Sequence, residues 1–242
     1  MKQLEINCDV GEGINNEDLL MPYIQSCNIA CKGHAGNDKT MSLVVELAMK
    51  YNVKIGAHPS YPDRANFGRK TMVIEKNQFK KSIQKQINNL LQIIEEKGAT
   101  LHHIKPHGAL YNDVAKNEEL SAQFLESILP YKNSVKLYVP YNSVISKNAL
   151  KYGFAVIYEA FADRNYNDDL SLVSRKNKEA LITSKQAIFN HVLEMLIEEK
   201  VTTITGSKKE IKATTFCVHS DTKNAVEIVK YLSLKKVGNS LL

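Results

Sequence analysis

Residues 101–112 read LHHIKPHGALYN. A run of strand length, LHHI, ends on Lys105 and His107 and passes directly into helical sequence. Lys105 and His107 are two apart, so in an extended segment they share a side. A cation and an imidazole on one face suit general acid–base work or carboxylate recognition. His102 and His103 stand at the start of the run and read as structural.

The same grammar recurs along the chain. LEIN leads to Cys8 and Asp9, SCNIAC to His34, KIGA to His58, and TTFCV to His219 and Asp221. Parallel strands with crossover helices present all their C-terminal ends on one face. In a closed α/β barrel that face carries the active site. The pattern therefore predicts an enzyme, with Asp9, His34, His58, Lys105, His107, Asp163 and His219 on one rim.

Strands are expected at about 3–8, 26–31, 53–57, 101–105, 135–139, 154–158 and 213–218, with a hairpin around Gly206. Helical spacing falls at 39–51, 75–97, 117–128, 185–199 and 222–234. Asn52 and Gly98 stop the first two of these. Two long irregular stretches, 58–74 and 159–177, follow strands, and loops of that length in compact domains are often functional.

The 242 residues, 43% hydrophobic and 24% charged, fit one barrel domain over 1–242. The net charge of +6 comes mostly from Lys spread along helices, without a block of five like charges and without Trp. That reads as a solvated surface rather than a nucleic-acid site. No apolar run reaches the ~18 residues of a membrane span, and MKQLEINCD lacks the apolar core of a signal peptide. Cys8, Cys27, Cys31 and Cys217 show no zinc-finger spacing and read as buried thiols in a reducing cytoplasm.

Each candidate has a chemical reason. Asp9, at a strand end before the turn Gly11-Glu12-Gly13, needs a partner or a function, because a buried unpaired carboxylate is costly. His34 lies between glycines, and Pro59 holds His58 extended. EAFADRNY offers Glu159, Asp163 and Arg164, and Arg suits bidentate carboxylate recognition. Asp221 either orients an imidazole or, with Thr222, caps the last helix. There is neither GxGxxG nor a Walker lysine, so no nucleotide site of the chain's own is expected.

The motifs NCDVGEG, NIAC-x-x-HAG, GAHPSYPD, FGR, HIKPHGALYN, EAFADRNY and CVHSDT occur in the order seen in the LamB/YcsF family, which this chain resembles over nearly its whole length. The resemblance implies a distorted seven-stranded TIM-like (β/α) barrel of the glycoside hydrolase/deacetylase kind. It also implies the A subunit of an ATP-dependent 5-oxoprolinase, which opens 5-oxo-L-proline (pyroglutamate), a cyclic amide, to L-glutamate. Partner subunits B and C, and ATP as co-substrate bound on those partners, follow from the same resemblance.

On that reading Asp9, His58, Lys105 and His107 are catalytic, with Asp9 and His107 handling the protons of the attacking water and the leaving nitrogen and Lys105 stabilising developing negative charge. His34, Arg69, Asp163, Arg164 and His219 bind substrate, and Arg164 is first choice for its carboxylate. Related barrels hold a divalent ion through one Asp and two His, so Asp9, His58 and His107 are also metal candidates. The alternative function is accordingly a metal-dependent deacetylase or amidohydrolase; a non-catalytic barrel is a third class. Where the family usually has Gly, or Phe or Gly, and then HAGD and LVPR, this chain has Lys32, Asn37 and LVSR. Lys32 is expected to add a cation beside the site and Asn37 to remove a carboxylate.

Overall fold

The computed structural model describes residues 2–237. Strands β2 (Ile6–Val10), β3 (Ser26–Ala30), β4 (Lys54–His58), β5 (Leu101–Ile104), β6 (Lys136–Pro140), β7 (Ala155–Phe161) and β10 (Thr215–Cys217) close into a parallel barrel. Their order, β10-β2-β3-β4-β5-β6-β7, keeps sequence neighbours adjacent, with β10 sealing the circle between β7 and β2. Seven strands were expected, and all seven are present. Strands β1 (Lys2–Gln3) and β11 (Lys236–Val237) pair outside the barrel, and β8 (Lys200–Thr202) with β9 (Lys208–Glu210) forms the hairpin around Gly206.

Crossovers are helical: α1 (Glu17–Leu20), α2 (Asp38–Lys50), α3 (Lys76–Glu96), α4 (Gly108–Val114), α5 (Glu118–Ile128), α6 (Val144–Lys151), α7 (Lys185–Ile197) and α8 (Ala225–Ser233). On α3, Phe79, Ile83, Ile87, Leu90 and Ile94 are buried on one stripe at the spacing of 3.6 residues per turn. Helix α6 has no counterpart in the sequence reading; at eight residues it is too short for the periodicity to show.

The barrel interior is polar. With period two, Asn7 and Asp9 of β2 point inward while Ile6, Cys8 and Val10 join the apolar core. The interior hydrogen bonds run in one direction. The His102 Nδ1–H donates to His103 Nδ1 (3.1 Å), and His103 Nε2–H to Asn28 Oδ1 (2.7 Å). The Asn28 amide then donates to Asn7 Oδ1 (2.8 Å) and Asp9 Oδ1 (2.7 Å). Asn7 donates in turn to Thr215 (3.0 Å). His103 stacks on Tyr138 at 3.9 Å and fills the space where a Gly56 Cβ would stand, 2.1 Å from Nε2. Each buried polar group in this chain of bonds thereby gains a partner, which its burial demands.

Asp221 takes neither role open to it. Helix α8 starts after Asn224, which stands at its N-cap with φ +62° and makes no side-chain cap bond. Asp221 instead accepts from Arg69 and Arg175, and Thr222 donates to Asp163.

Candidate active site

The C-terminal strand ends surround a cavity of about 490 Å³ lined by Asp9, Glu12, His58, Lys105, His107 and His219, with arginines farther out. Lys105, 1% exposed, is the hub. Its Nζ lies 2.9 Å from Asp9 Oδ1, 2.8 Å from Glu159 Oε1 and 3.2 Å from Cys217 Sγ. Burial disfavours the ammonium, but Asp9, Cys217 and Glu159 together hold its pKa well above the ordinary lysine value. Burial likewise disfavours the Asp9 carboxylate, and His58 and Lys105 hold it well below the usual range. The ammonium is thus engaged by carboxylates, and its position keeps Asp9 ionised.

The hydrogen bonds of the two histidines beside Asp9 define their tautomers. His58 Nδ1 is 2.8 Å from the Lys105 carbonyl and His107 Nε2 is 3.0 Å from the Phe67 carbonyl. A carbonyl only accepts, so each of those nitrogens carries the proton. The remaining lone pairs, His58 Nε2 and His107 Nδ1, face each other at 3.0 Å, with Asp9 Oδ2 3.4 Å from His58 and Glu12 Oε1 3.3 Å from His107. Two lone pairs and two carboxylate oxygens converge there, and neither histidine nitrogen has a proton to give. The arrangement calls for a cation there: one extra proton, or a metal ion. Asp9, His58 and His107 each offer a donor atom within 4.8 Å of the others, and the mixed carboxylate–imidazole set suits Zn²⁺ or a similar ion.

His34 and Glu12 back this centre. His34 stacks on His107 at 3.5 Å, and its Nε2–H donates to Glu12 Oε1 (2.8 Å). Burial pushes the His34 pKa down to about 3, so the ring stays neutral. Burial opposes the charge on Glu12 too, but contact with His107 and His34 holds its carboxyl far below the ordinary value. Gly68 makes the stacking possible: it has φ +62°, and a Cβ there would lie 3.0 Å from both His34 and His107.

A second acid–base pair stands across the cavity. Asp163, fully buried, accepts from His219 Nδ1 (3.0 Å), the His219 backbone N–H (3.1 Å) and the Thr222 hydroxyl. Burial works against its charge, and His219 and Thr222 hold its pKa below the ordinary carboxylate value. With Nδ1–H given to Asp163, His219 keeps Nε2 free for proton exchange with whatever occupies the cavity. One donor atom each from Asp9, Cys217 and His219 lies within 4.8 Å of the others, so the two pairs belong to one centre.

The structure brings the expected residues together at one barrel end. Asp9, His58, Lys105, His107, Arg69, Arg164 and His219 line the cavity, while His34 and Asp163 stand behind His107 and His219. Arg164 does not pair with Asp163: it donates to the carbonyls of Ala180 (3.2 Å) and Val173 (2.6 Å). Glu12 and Asn28 join the site without having been expected there, and Glu159, offered by EAFADRNY, joins it as the partner of Lys105. In NCDVGEG the glycines mask the glutamate between them, and the strand interior of SCNIAC hides Asn28. Their signal is a charged or amide residue on the inward parity of a buried strand, or in the turn after one. Lys32 and Asn37 lie outside the site: Lys32 pairs with Asp38, and Asn37 caps α2 through Thr40.

The LamB/YcsF family model matches residues 4–240. The chain is similar to the 5-oxoprolinase A subunit of Bacillus cereus (strain AH820), 38% identical over 236 residues that cover 95% of this chain and 93% of that one. It is 37% identical, with the same coverage, to the protein of that name from Bacillus anthracis (strain A0248). The lactam utilization protein from Thermus thermophilus superposes with a TM-score of 0.87 at 29% identity, covering 96% of this chain and 95% of its own. A GH113 beta-1,4-mannanase, 12% identical, shares the barrel fold with a TM-score of 0.52, covering 96% of this chain and 98% of its own.

Proposed function

The chain belongs to the LamB/YcsF family, and from that premise we propose that it is the A subunit of an ATP-dependent 5-oxoprolinase, opening 5-oxo-L-proline to L-glutamate. The observation that carries this reading is the pairing of an ionised Asp9 with the His219–Asp163 dyad around one cavity. Opening a lactam needs a base for the attacking water and an acid for the departing ring nitrogen. Asp9 takes one proton of the attacking water; His219 Nε2 takes the second from the hydroxyl of the tetrahedral adduct and passes it to the departing nitrogen as the ring opens. Lys105 acts on Asp9 rather than on the substrate, its ammonium being taken by Asp9 and Glu159. Arg164 takes the substrate carboxylate.

An unstrained lactam resists hydrolysis, and ATP supplies the drive. The sequence has no phosphate-binding loop, so the ATP chemistry belongs to partner subunits B and C, which phosphorylate the lactam oxygen before the present chain opens the ring; opening leaves an acyl phosphate, and a second water frees inorganic phosphate and the new carboxylate. The naming of the relatives as one subunit of a 5-oxoprolinase supports the need for partners. The four cysteines are free thiols, all buried, consistent with a cytoplasmic location. Among the described residues, no helix is long and apolar enough to cross a membrane. The test is 5-oxoproline hydrolysis by the purified chain with and without ATP and the two partners. Turnover only in the full mixture supports the assignment; none in the full mixture removes it.

A second reading, a metal-dependent amidohydrolase or deacetylase, rests on the converging lone pairs of Asp9, His58 and His107. These three would hold the ion, which when bound would lower the pKa of water and polarise a carbonyl. Amide or acetyl hydrolysis by the metal-loaded chain alone, without ATP, favours this reading.

A further inference from the structure

Four cations, Arg69, Arg164, Arg175 and Lys176, line the cavity. The acids beside them are Asp113, Asp163 and Asp221. Asp113 already accepts from the Tyr61 hydroxyl (2.9 Å), and Asp163 from His219 and Thr222.

Geometry draws two of these cations together. Arg69 comes from the loop after β4 and Arg175 from the loop after β7, yet both close on the same atom. Arg69 Nη2 lies 2.9 Å and Arg175 Nη1 3.1 Å from Asp221 Oδ2, while Arg175 Nη2 reaches Oδ1 at 3.3 Å. Two guanidinium forks thus crowd a planar carboxylate. A tetrahedral dianion would give each fork oxygens of its own, the geometry for which Arg is suited. The Arg69 guanidinium also sits 4.9 Å over the Phe67 ring, and the Phe67 carbonyl holds His107. One residue, Phe67, therefore links the arginine pair to the catalytic cluster.

We propose that Arg69 and Arg175, with Lys176 at the edge, form a phosphoryl-binding subsite, and that Asp221 occupies it in the absence of the dianion. Its ligand is the phosphate group of an O-phosphorylated lactam delivered by the partners. That identity rests on the proposed 5-oxoprolinase reading; the binding of phosphate does not.

The experiment is equilibrium dialysis of inorganic phosphate against the full chain at pH 8, where phosphate is a dianion, at fixed ionic strength and with metals chelated. Wild type is expected to bind one phosphate saturably. Arg175→Gln should weaken binding about tenfold or more, the effect of losing a charged hydrogen bond, and Arg175→Lys should recover only part of it. Asp221→Asn should tighten binding, because the competing carboxylate is gone. Thermal melts establish that each variant is folded. No saturable binding by wild type, no change in either Arg175→Gln or Asp221→Asn, or displacement of phosphate by equimolar acetate would each overturn the subsite. Phosphate binding with these variant effects, but no 5-oxoproline turnover in the reconstituted mixture, would keep the subsite and remove the 5-oxoprolinase reading. Turnover with no phosphate binding would do the reverse.

Discussion

His58 Nε2 and His107 Nδ1 face each other at 3.0 Å, although each ring has already given its proton to a backbone carbonyl. The centre is therefore built for a cation. If the cation is a metal ion, adding Zn²⁺ or Mn²⁺ to metal-stripped protein should raise its melting temperature. An ion at about 100 times its Kd contributes ~2.7 kcal/mol, or roughly 5–10 °C for a chain of this size. His58→Ala and His107→Ala should each abolish the rise. A melting curve indifferent to every divalent ion leaves a proton as the occupant.

Lys105 binds two buried carboxylates, so its loss should be costly in the folded state. Lys105→Met leaves Asp9 and Glu159 without their cation, and breaking a buried ion pair in this way costs about 3–5 kcal/mol. Urea denaturation measures it directly. Wild-type stability from Lys105 is present below the ordinary lysine pKa and is lost as pH rises through its higher folded value. A variant within about 0.5 kcal/mol of wild type, the range of a neutral surface change, would show that the interior relaxes around the missing charge.

The barrel interior predicts acid sensitivity at mild pH. Burial holds His103 well below the ordinary histidine pKa, and His102 and Lys105 push it the same way. A folded pKa below the unfolded one contributes stability above pH ~6.5 that is lost as pH falls beneath it, at about 1.4 kcal/mol per pH unit for one proton. Denaturation midpoints at decreasing pH should follow that slope, and His103→Gln should flatten it. Gly56→Ala, whose Cβ would meet His103 Nε2 at 2.1 Å, should destabilise by about 1–3 kcal/mol through overpacking. Equal slopes in wild type and His103→Gln would place the acid sensitivity elsewhere.

The fold is legible because most barrel strands are short, largely buried runs that lead into a titratable residue, and Asp9, His58, Lys105 and His107 stand at those ends. What escapes is partnership. Nothing local in LHHI marks His103 as the donor to Asn28, 75 residues away. Nor does EAFADRNY show that Glu159 meets Lys105. Asp221 before Thr222 reads as a helix start because Asp and Thr favour N-caps, but two arginines from distant loops compete for its carboxylate more strongly than free helix N–H groups do.

Asp163 fixes the tautomer of His219, and replacing one oxygen with an amide tests that role. Three donors meet its carboxylate: His219 Nδ1, the His219 backbone N–H and Thr222. In Asp163→Asn a single acceptor oxygen has to serve them, and the ring is freed to turn or to change tautomer. Turnover by the reconstituted enzyme should fall ~10²–10⁴-fold, with the Michaelis constant nearly unchanged. A loss expressed wholly in the Michaelis constant would make His219 a binding group instead.

Arg164 holds two positions at once. Its Nε and Nη2 donate to the carbonyls of Ala180 and Val173, bracing the loop after β7, while its side chain lines the cavity. Burial and the neighbouring Arg175 lower its pKa, and Asp163 offsets part of that. A carboxylate substrate would therefore meet a cation already oriented by the protein. Lysine keeps the charge but loses the planar fork, so Arg164→Lys should disturb both roles. Losing a charged hydrogen bond to substrate costs about 1.5–3 kcal/mol, which is roughly tenfold or more in the Michaelis constant. Losing the two loop bonds, each worth about 1 kcal/mol, should lower the melting temperature by several degrees at ~2–4 °C per kcal/mol. Both quantities are measured on one mutant. A lowered melting temperature with an unchanged Michaelis constant would make Arg164 a brace alone and pass the carboxylate to Arg69.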